Sequence, residues 1–238
     1  LALMCIKSVR EFAKHSLGVL HAAQISSPAG ASWWSPHDYY YRQTPWVLIS
    51  PTGRLEDRWD ILSSLLAVAL ESRSASPAAP IRMAEIGVHR GRNARALLEG
   101  HPTLQMLLVD PYHHTDAANG TEVDHYLPSQ AQEWQAQAHA LLQPFWRRAT
   151  FVTQQSTAAA AFIAPSLFDL VFIDGDHSYH AVCQDLRAWW PKVREGGILA
   201  GHDYQPASPW VAKAVHEFAA EVGAHLYLGL DVWYLAPV

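Results

Sequence analysis

Short apolar runs alternate with amphipathic segments in the second half of the chain, from Ile81 onward. The segments between the runs repeat their apolar residues every three or four positions, as helices with one buried face do. This alternation is typical of parallel strands that are covered by crossover helices. It predicts strands over residues 81–87, 104–110, 149–154, 168–174 and 196–203.

Two further apolar runs lie near the end of the chain, over residues 225–230 and 231–237. No helical crossover fits between them, so they are expected to form an antiparallel hairpin. Amphipathic helices are predicted over residues 178–190 and 211–222, with their apolar faces in the core. The fold class is therefore α/β: a Rossmann-like, doubly wound, mostly parallel seven-stranded sheet with a C-terminal antiparallel hairpin.

The first 80 residues lack this alternation. Residues 32–46 are rich in Trp, Tyr and Pro, residues 58–73 have a helical pattern, and residues 74–80 have the composition of a hinge. We therefore divide the chain into a helical and aromatic extension over 1–80 and an α/β domain over 81–238. The aromatic segment is interpreted as a cap over a ligand cleft, a contact in a homodimer, or part of the core.

Composition argues against several classes of protein. The 17 Lys and Arg residues and 22 Asp and Glu residues give a net charge of −5, which disfavours nucleic-acid binding. Residues 1–20 form the longest membrane-span candidate, but their four charged side chains favour an amphipathic helix, so no membrane partner is expected. Cys5 and Cys183 lie far apart in sequence, which favours a reduced, cytoplasmic setting. The chain does not begin with Met, which leaves a removed targeting segment open.

A glycine-containing turn follows the first predicted strand, where Glu85 precedes Gly87 and Gly91. Ligands of open parallel sheets bind at the carboxyl ends of the strands, and glycine there allows close approach of the backbone. The spacing differs from the Gly-x-Gly-x-x-Gly of dinucleotide sites, and an acid two residues before the first glycine suits an ammonium group. The alternative is that both glycines serve only the turn.

A second acid, Asp110, ends the second predicted strand 25 residues after Glu85. A carboxylate in this position can accept hydrogen bonds from both hydroxyls of a ribose. A ribose together with an amino-acid ammonium describes S-adenosylmethionine better than a dinucleotide.

Two segments, EIGVHRGRN at 85–93 and FIDGDHSYHAVCQDLRAWWPKVREGGILAGHDY at 172–204, carry a family resemblance. They resemble class I S-adenosylmethionine-dependent methyltransferases of the small-molecule O-methyltransferase type, including catechol, caffeoyl-coenzyme A and bacterial families. The resemblance covers residues 81–222. The cofactor-binding residues that it implies are Glu85, Gly87, Val88, Gly91, Asn93, Asp110, Ser156 and Asp174.

The resemblance also implies a role for most of these residues. Glu85 and the two glycines surround the methionine part of the cofactor, and Asn93 lies near its carboxylate. Asp110 holds the ribose. Ser156 contacts the adenine, with Gln154 or Gln155 as the alternatives.

Two acids end the fourth and fifth predicted strands, at Asp174 and Asp203. Neighbouring strands lie about 4.8 Å apart, so the two carboxylates are expected to converge and to repel unless a proton or a cation intervenes. In one interpretation Asp174, His202 and Asp203 bind Mg²⁺ or another divalent cation. In a second, His177 or His202 is a general base.

A third interpretation of the segment after the fourth strand is structural. Asp176 or Ser178 caps the next helix, and His177 and His180 are satisfied side chains. This interpretation is compatible with a functional Asp174, so the same turn can cap a helix and direct an acid into the cleft.

The expected activity is methyl transfer from S-adenosylmethionine to a hydroxyl of a phenolic, sugar or natural-product acceptor. Catalytic roles are predicted for Asp174, His177 and His202, and the long polar loop after Asp110 is interpreted as a binding loop or lid. The alternatives are an N-methyltransferase that needs no metal and a non-catalytic cofactor-binding module.

Overall fold

The computed structural model describes residues 58–73, 79–112, 128–205, 208–229 and 231–236. The predicted amino-terminal helix, the aromatic segment at 32–46 and most of the polar loop after Asp110 lie outside the described residues.

The described residues form six α-helices, seven strands and two short 3-10 turns. The helices are α1 (Arg58–Glu71), α2 (Arg92–Gly100), α3 (Pro128–Leu142), α4 (Ser156–Ala161), α5 (Tyr179–Trp189) and α6 (Pro209–Val222). The strands are β1 (Ile81–Ile86), β2 (Leu104–Val109), β3 (Ala149–Val152), β4 (Phe168–Ile173), β5 (Val193–Gly201), β6 (His225–Gly229) and β7 (Val232–Ala236). The 3-10 turns are Gln143–Phe145 and Trp190–Lys192.

All seven strands belong to one sheet with the order β3-β2-β1-β4-β5-β7-β6. Strands β1 to β5 pair in parallel, whereas β7 pairs antiparallel with both β5 and β6. The predicted fold class is confirmed. The strand boundaries differ in detail. Strand β5 begins at Val193 instead of residue 196, because it continues through a register irregularity opposite Phe168 and Leu170, and β1 to β5 each end one or two residues before the predicted position.

Helices cover both faces of the sheet and give two apolar layers. On one face, α1, α2 and α3 pack side chains such as Ile61, Leu97 and Leu142 against the strands. On the other, α5 and α6 contribute Leu186 and Val215. Both faces of the central strands are therefore buried, which explains why they are apolar throughout. Within the described part of the chain, no helix is long and apolar enough to cross a membrane.

Helix α1 lies along β4 in the opposite direction and is held near both ends by arginine–aspartate pairs. At its carboxyl end, the buried Asp169 of β4 contacts Arg73 at 2.9 Å and Arg194 at 2.6 Å. At its amino end, Arg58 pairs with Asp174, just beyond the end of β4. Although the sequence assigns α1 to the extension, its buried face belongs to the same apolar layer as the sheet; the division at residue 80 stays a prediction.

We predict that Asp169→Asn lowers the free energy of unfolding by about 3 kcal/mol, because it leaves two largely buried guanidinium groups without their carboxylate. Urea unfolding of the variant measures the loss. Glu221→Gln is the matched control, since Glu221 pairs with Arg187 at 2.6 Å on the exposed surface and should change stability little. Equal effects of the two substitutions would contradict the prediction.

Candidate active site

Four acidic side chains meet at the carboxyl edge of the parallel strands. Glu85 is the fifth residue of β1, Asp110 directly follows β2, Asp174 directly follows β4, and Asp203 lies two residues beyond β5. Strand β1 is paired with both β2 and β4, so the first three acids lie on adjacent strands. The edge predicted for ligand binding is therefore the acidic edge of this sheet.

The glycine turn after β1 packs directly against the end of β4. Gly87 has a φ of 88°, and a Cβ atom at this position would lie 2.0 Å from the Asp174 carbonyl oxygen. Its N–H donates to the Val109 carbonyl at 2.9 Å, and the Asp174 N–H donates to the Ile86 carbonyl at 2.7 Å. Gly87 is thus required by backbone conformation and by space. Its contact with a cofactor remains a prediction, as do those of Val88 and Gly91.

The Asp110 carboxylate anchors the same turn. One oxygen accepts hydrogen bonds from the Val88 and His89 N–H groups, each at 2.9 Å, and the other accepts from the Tyr112 N–H at 2.8 Å. A carboxylate has about four acceptor positions, so these three bonds leave capacity for about one more. Asp110 is thus placed both to hold the turn and to accept a hydrogen bond from a ligand.

Glu85 is buried with only one hydrogen bond among the described residues. Asn93 donates to its Oε1 at 3.1 Å, while Glu85 Oε2 and Asn93 Oδ1 are buried without a partner in the described part of the chain. Burial raises the pKa of Glu85 to about 8, and the nearby Asp174 and Asp110 add to the rise, against the opposing effects of Asn93 and Arg58. The carboxyl group therefore holds its proton at neutral pH.

Ser156, predicted to contact adenine, is engaged with α5. Its hydroxyl accepts a hydrogen bond from the Trp189 indole N–H at 2.8 Å and also bonds to the buried Asp185. Burial raises the pKa of Asp185 to about 6, although the bond to Ser156 opposes the rise. These contacts attach α4 to α5, and the adenine contact of Ser156 stays a prediction.

The two acids beyond β4 and β5 converge with His177. One ligand atom from each of Asp174, His177 and Asp203 lies within 4.8 Å of the others, as the ligands of one metal ion do. His177 Nε2 is 2.8 Å from Asp203 Oδ2 and 4.0 Å from Asp174 Oδ1. Asp203 has a φ of 59°, in the left-handed region that few non-glycine residues adopt, although aspartate does so more often than most.

His202, which the sequence assigns to the metal set, lies beside this cluster. Its Nδ1 is 3.2 Å from Asp203 Oδ2 and 3.5 Å from Asp174 Oδ1, and its Nε2 is 2.9 Å from Asp231 Oδ2. The imidazole is therefore held between carboxylates on both sides. Both histidines thus lie close to the carboxylates of Asp174 and Asp203. The metal role predicted for His202 and the base role predicted for His177 or His202 stay predictions.

The pKa values of the two acids in the cluster are shifted in opposite directions. Burial raises the pKa of Asp174, and Arg58 and His202 counteract that rise. Burial also acts on Asp203, but its hydrogen bonds to His177 and His202 prevail and hold its pKa well below the ordinary range. Burial lowers the pKa of His202, but hydrogen bonds to Asp203 and Asp231 outweigh it and raise the value to about 9. Asp203 is thus ionised and His202 protonated at neutral pH.

The structural interpretation of the segment after β4 is confirmed for Ser178. It is the N-cap residue of α5, and its hydroxyl accepts from the Ala181 N–H at 3.3 Å. Asp176 accepts from the Ser178 N–H at 2.7 Å. The exposed His180 contacts Gln184 on the helix surface. The same turn therefore caps a helix and brings Asp174 and His177 to the acidic edge.

Two residues of the site have no recognisable signal in the sequence. Arg58 is the first residue of α1, where the sequence signals only the start of a helix. Asp231 lies in the turn of a hairpin, where an aspartate is ordinarily a turn residue. Neither position carries a motif. Only the pairing of β5 with β7 brings Asp231 to His202, and only the packing of α1 brings Arg58 to Asp174.

A parallel sheet ending in an antiparallel hairpin, with acids at the ends of β1, β2 and β4, defines a class I S-adenosylmethionine-dependent methyltransferase fold. Residues 84–204, about half of the 238 residues, match a family described as "Methyltransferase domain". The chain belongs to this family, whose cofactor is S-adenosylmethionine.

Curated relatives match over short segments. The uncharacterized protein R132 of Acanthamoeba polyphaga mimivirus is 38% identical over 65 residues, which are 26% of this chain and 29% of that protein. The uncharacterized protein y4gI of Sinorhizobium fredii is 28% identical over 130 residues, which are 52% of this chain and 13% of that protein. The chain thus spans less than a third of the length of either relative.

Solved structures share the fold at low sequence identity. CalS11, a calicheamicin methyltransferase, has a TM-score of 0.55 and 17% identity, with 98% of this chain and 91% of that chain covered. A protein from Corynebacterium glutamicum has a TM-score of 0.54 and 16% identity, with 98% and 97% covered. The CurJ carbon methyltransferase has a TM-score of 0.51 and 14% identity, with 76% and 54% covered. These likenesses establish the fold.

The acidic edge fits S-adenosylmethionine. Glu85 Oε2, Asn93 Oδ1 and Tyr112 Oη are buried polar atoms without a hydrogen-bond partner among the described residues. Such atoms are uncommon in a folded protein unless a ligand or water completes them. The ammonium, carboxylate and ribose groups of this cofactor offer the donors and acceptors that these atoms and Asp110 need.

We predict that Glu85→Gln changes the pH dependence of stability. The folded-state pKa of Glu85, about 8, is above its ordinary value of 4.5, so its proton stabilises the folded state at low pH. This contribution is fully present below the unfolded pKa and is lost as the pH rises towards the folded pKa, by up to about 1.4 kcal/mol per pH unit. Glutamine keeps the acceptor for Asn93 but carries no titrating proton.

Urea unfolding at about pH 5.5 and about pH 7.5 tests this prediction, since the stability of Glu85→Gln relative to the wild type should rise by about 2 kcal/mol between the two. Glu99→Gln is the control, because Glu99 lies exposed in an ion pair with Arg95. Parallel pH profiles of wild type and Glu85→Gln would show that Glu85 does not hold a proton in the folded protein.

Proposed function

We propose that the protein transfers the methyl group of S-adenosylmethionine to a hydroxyl group of a small phenolic, sugar or natural-product acceptor. The observation that carries this proposal is the convergence of Asp174, His177 and Asp203 within 4.8 Å at the acidic edge. A hydroxyl is a poor nucleophile until its proton is removed or its pKa is lowered. The cluster offers both means, beside the residues expected to hold the cofactor.

When bound, S-adenosylmethionine would supply a methyl group on a sulfonium that an acceptor oxygen could attack directly, so no nucleophile from the protein would be needed. The residues of the protein have to align the two reactants. Asp110 would accept a hydrogen bond from a ribose hydroxyl through its remaining acceptor position. Glu85 and Asn93, whose orphan oxygens are buried next to the glycine turn, would bind the methionine part.

Two arrangements of the cluster can activate the acceptor. In the first, Asp174, His177 and Asp203 would hold a divalent cation, which would lower the pKa of a hydroxyl bound to it. Two carboxylates and an imidazole suit Mg²⁺, Mn²⁺ or a related ion. In the second, His177 accepts the proton directly, because Asp203 is 2.8 Å from its Nε2 and would stabilise the resulting imidazolium. His202 is less suited as a base, since it is already protonated at neutral pH.

We expect Asp110→Asn to weaken binding of S-adenosylhomocysteine at least tenfold, because loss of a charged hydrogen-bond acceptor costs about 1.5–3 kcal/mol. Isothermal titration calorimetry measures the affinity. Glu99→Gln, on the exposed face of α2, should bind as the wild type does. An unchanged affinity in Asp110→Asn would show that the ribose is held elsewhere.

We expect Asp203→Asn to lose at least about 100-fold in methylation rate while keeping its affinity for S-adenosylhomocysteine within about threefold, because activation of the nucleophile is worth about 10²–10⁴ in rate. The rate is measured as S-adenosylhomocysteine release with phenols, sugars and matched primary amines, with and without a chelator. Loss of cofactor affinity would reassign Asp203 to cofactor binding. Turnover of amines alone would replace the proposal by N-methylation.

A further inference from the structure

The amino end of α1 places a cation against the candidate site. Arg58, the first residue of the helix, pairs through Nη1 with Asp174 Oδ2, and the two side chains are 34% and 16% exposed. At the other end of the helix, Arg73 and Arg194 share the buried Asp169. The position of Arg58 is therefore determined by a helix that is anchored independently of the site.

Asp174 is shared between this contact and the proposed cation cluster. Its Oδ2 faces Arg58, whereas its Oδ1 faces the histidines, 4.0 Å from His177 Nε2 and 3.5 Å from His202 Nδ1. A divalent cation bound to Asp174, His177 and Asp203 would lie within a few ångströms of the guanidinium. Two cations at that distance repel each other strongly in a partly buried site.

Arg58 already balances part of the negative charge of the site. The carboxylates of Asp174, Asp203 and Asp231 face the guanidinium of Arg58 and the imidazole of His202. The guanidinium of Arg58 is thus a permanent positive charge in contact with Asp174 before any metal ion binds. Removal of the guanidinium would leave an excess of negative charge at the place where a metal ion binds.

We propose that Arg58 is the resident counter-ion of Asp174 and that it competes with a divalent cation for this carboxylate. The proposal rests on the cation arrangement of the proposed function. Cation binding is then antagonistic to the contact between α1 and the end of β4. Helix α1, through Arg58, thereby sets how tightly the site holds a metal.

The test is a calorimetric titration of the full chain with MnCl₂ alone. It is run at about pH 8, where ordinary carboxyl groups are ionised. Arg58→Gln should bind Mn²⁺ at least about tenfold more tightly than the wild type, because a unit charge and a double charge repel appreciably even in a water-like dielectric. Arg58→Lys keeps the charge and should stay within about threefold of the wild type. Arg95→Gln, on the exposed face of α2, is the matched control and should change nothing.

The Asp203→Asn variant separates the failure of this proposal from the failure of the proposed cation site. If Asp203→Asn abolishes Mn²⁺ binding but Arg58→Gln binds as the wild type does, the site exists and the competition is overturned. If Mn²⁺ binds no variant, or binds Asp203→Asn unchanged, the cation arrangement itself is wrong, and with it the competition. If Arg58→Gln binds Mn²⁺ and the wild type does not, the competition is supported, because Arg58 then prevents binding completely.

The substitution is expected to leave the fold intact, because the anchor at Asp169 and the apolar face of α1 remain. Thermal unfolding of each variant checks this directly. Arg58→Lys supplies a second, less disruptive variant. If Arg58→Lys and Arg58→Gln both bind Mn²⁺ more tightly than the wild type, and by the same factor, then the geometry of the side chain and not its charge is responsible. That result would also overturn the competition.

Discussion

The position of β4 constrains everything at the acidic edge. This strand lies between β1 and β5, so its end decides where Asp174 meets the glycine turn on one side and Asp203 on the other. The Asp174 carbonyl lies so close to Gly87 that no side chain fits there. Asp169, buried near the start of β4, forms ion pairs with Arg73 and Arg194. Because Arg73 lies just beyond the end of α1, the pair attaches this end of the helix to the strand. A shift of β4 would disturb the cofactor turn, the acid cluster and the Arg58 contact together.

The pKa values of two acids at this edge are shifted in opposite directions, because their local environments differ. Glu85 is buried with one amide donor and keeps its proton at neutral pH, whereas Asp203 is flanked by two histidines and stays ionised. Buried polar atoms without partners cost stability in the free protein. They also offer free hydrogen-bonding positions to a ligand, which is the usual compromise between stability and function at binding sites.

The fold and the cofactor edge could be predicted from sequence because their signals are local. Apolar runs alternating with helical periods predicted the strands and the hairpin, and the glycines after β1 marked the turn. The strand ends placed Asp110 and Asp174 on the binding edge, since parallel strands share one carboxyl edge. The contacts of Arg58 and Asp231 carry no such signal, because each depends on packing between segments far apart in the chain.

The histidines show most clearly where sequence reasoning ends. His177 and His202 each lie next to an acid in sequence, and both were candidates for a base or a ligand. Sequence by itself determined which residue types reach the edge, through strand periodicity and turn chemistry. Only the tertiary structure decided that both histidines contact the carboxylates of Asp174 and Asp203, and that Asp231 contacts the other side of His202. Asp231 reaches His202 because β7 pairs antiparallel with β5. Protonation follows from such neighbours, and the neighbours are set by long-range packing rather than by position along the chain.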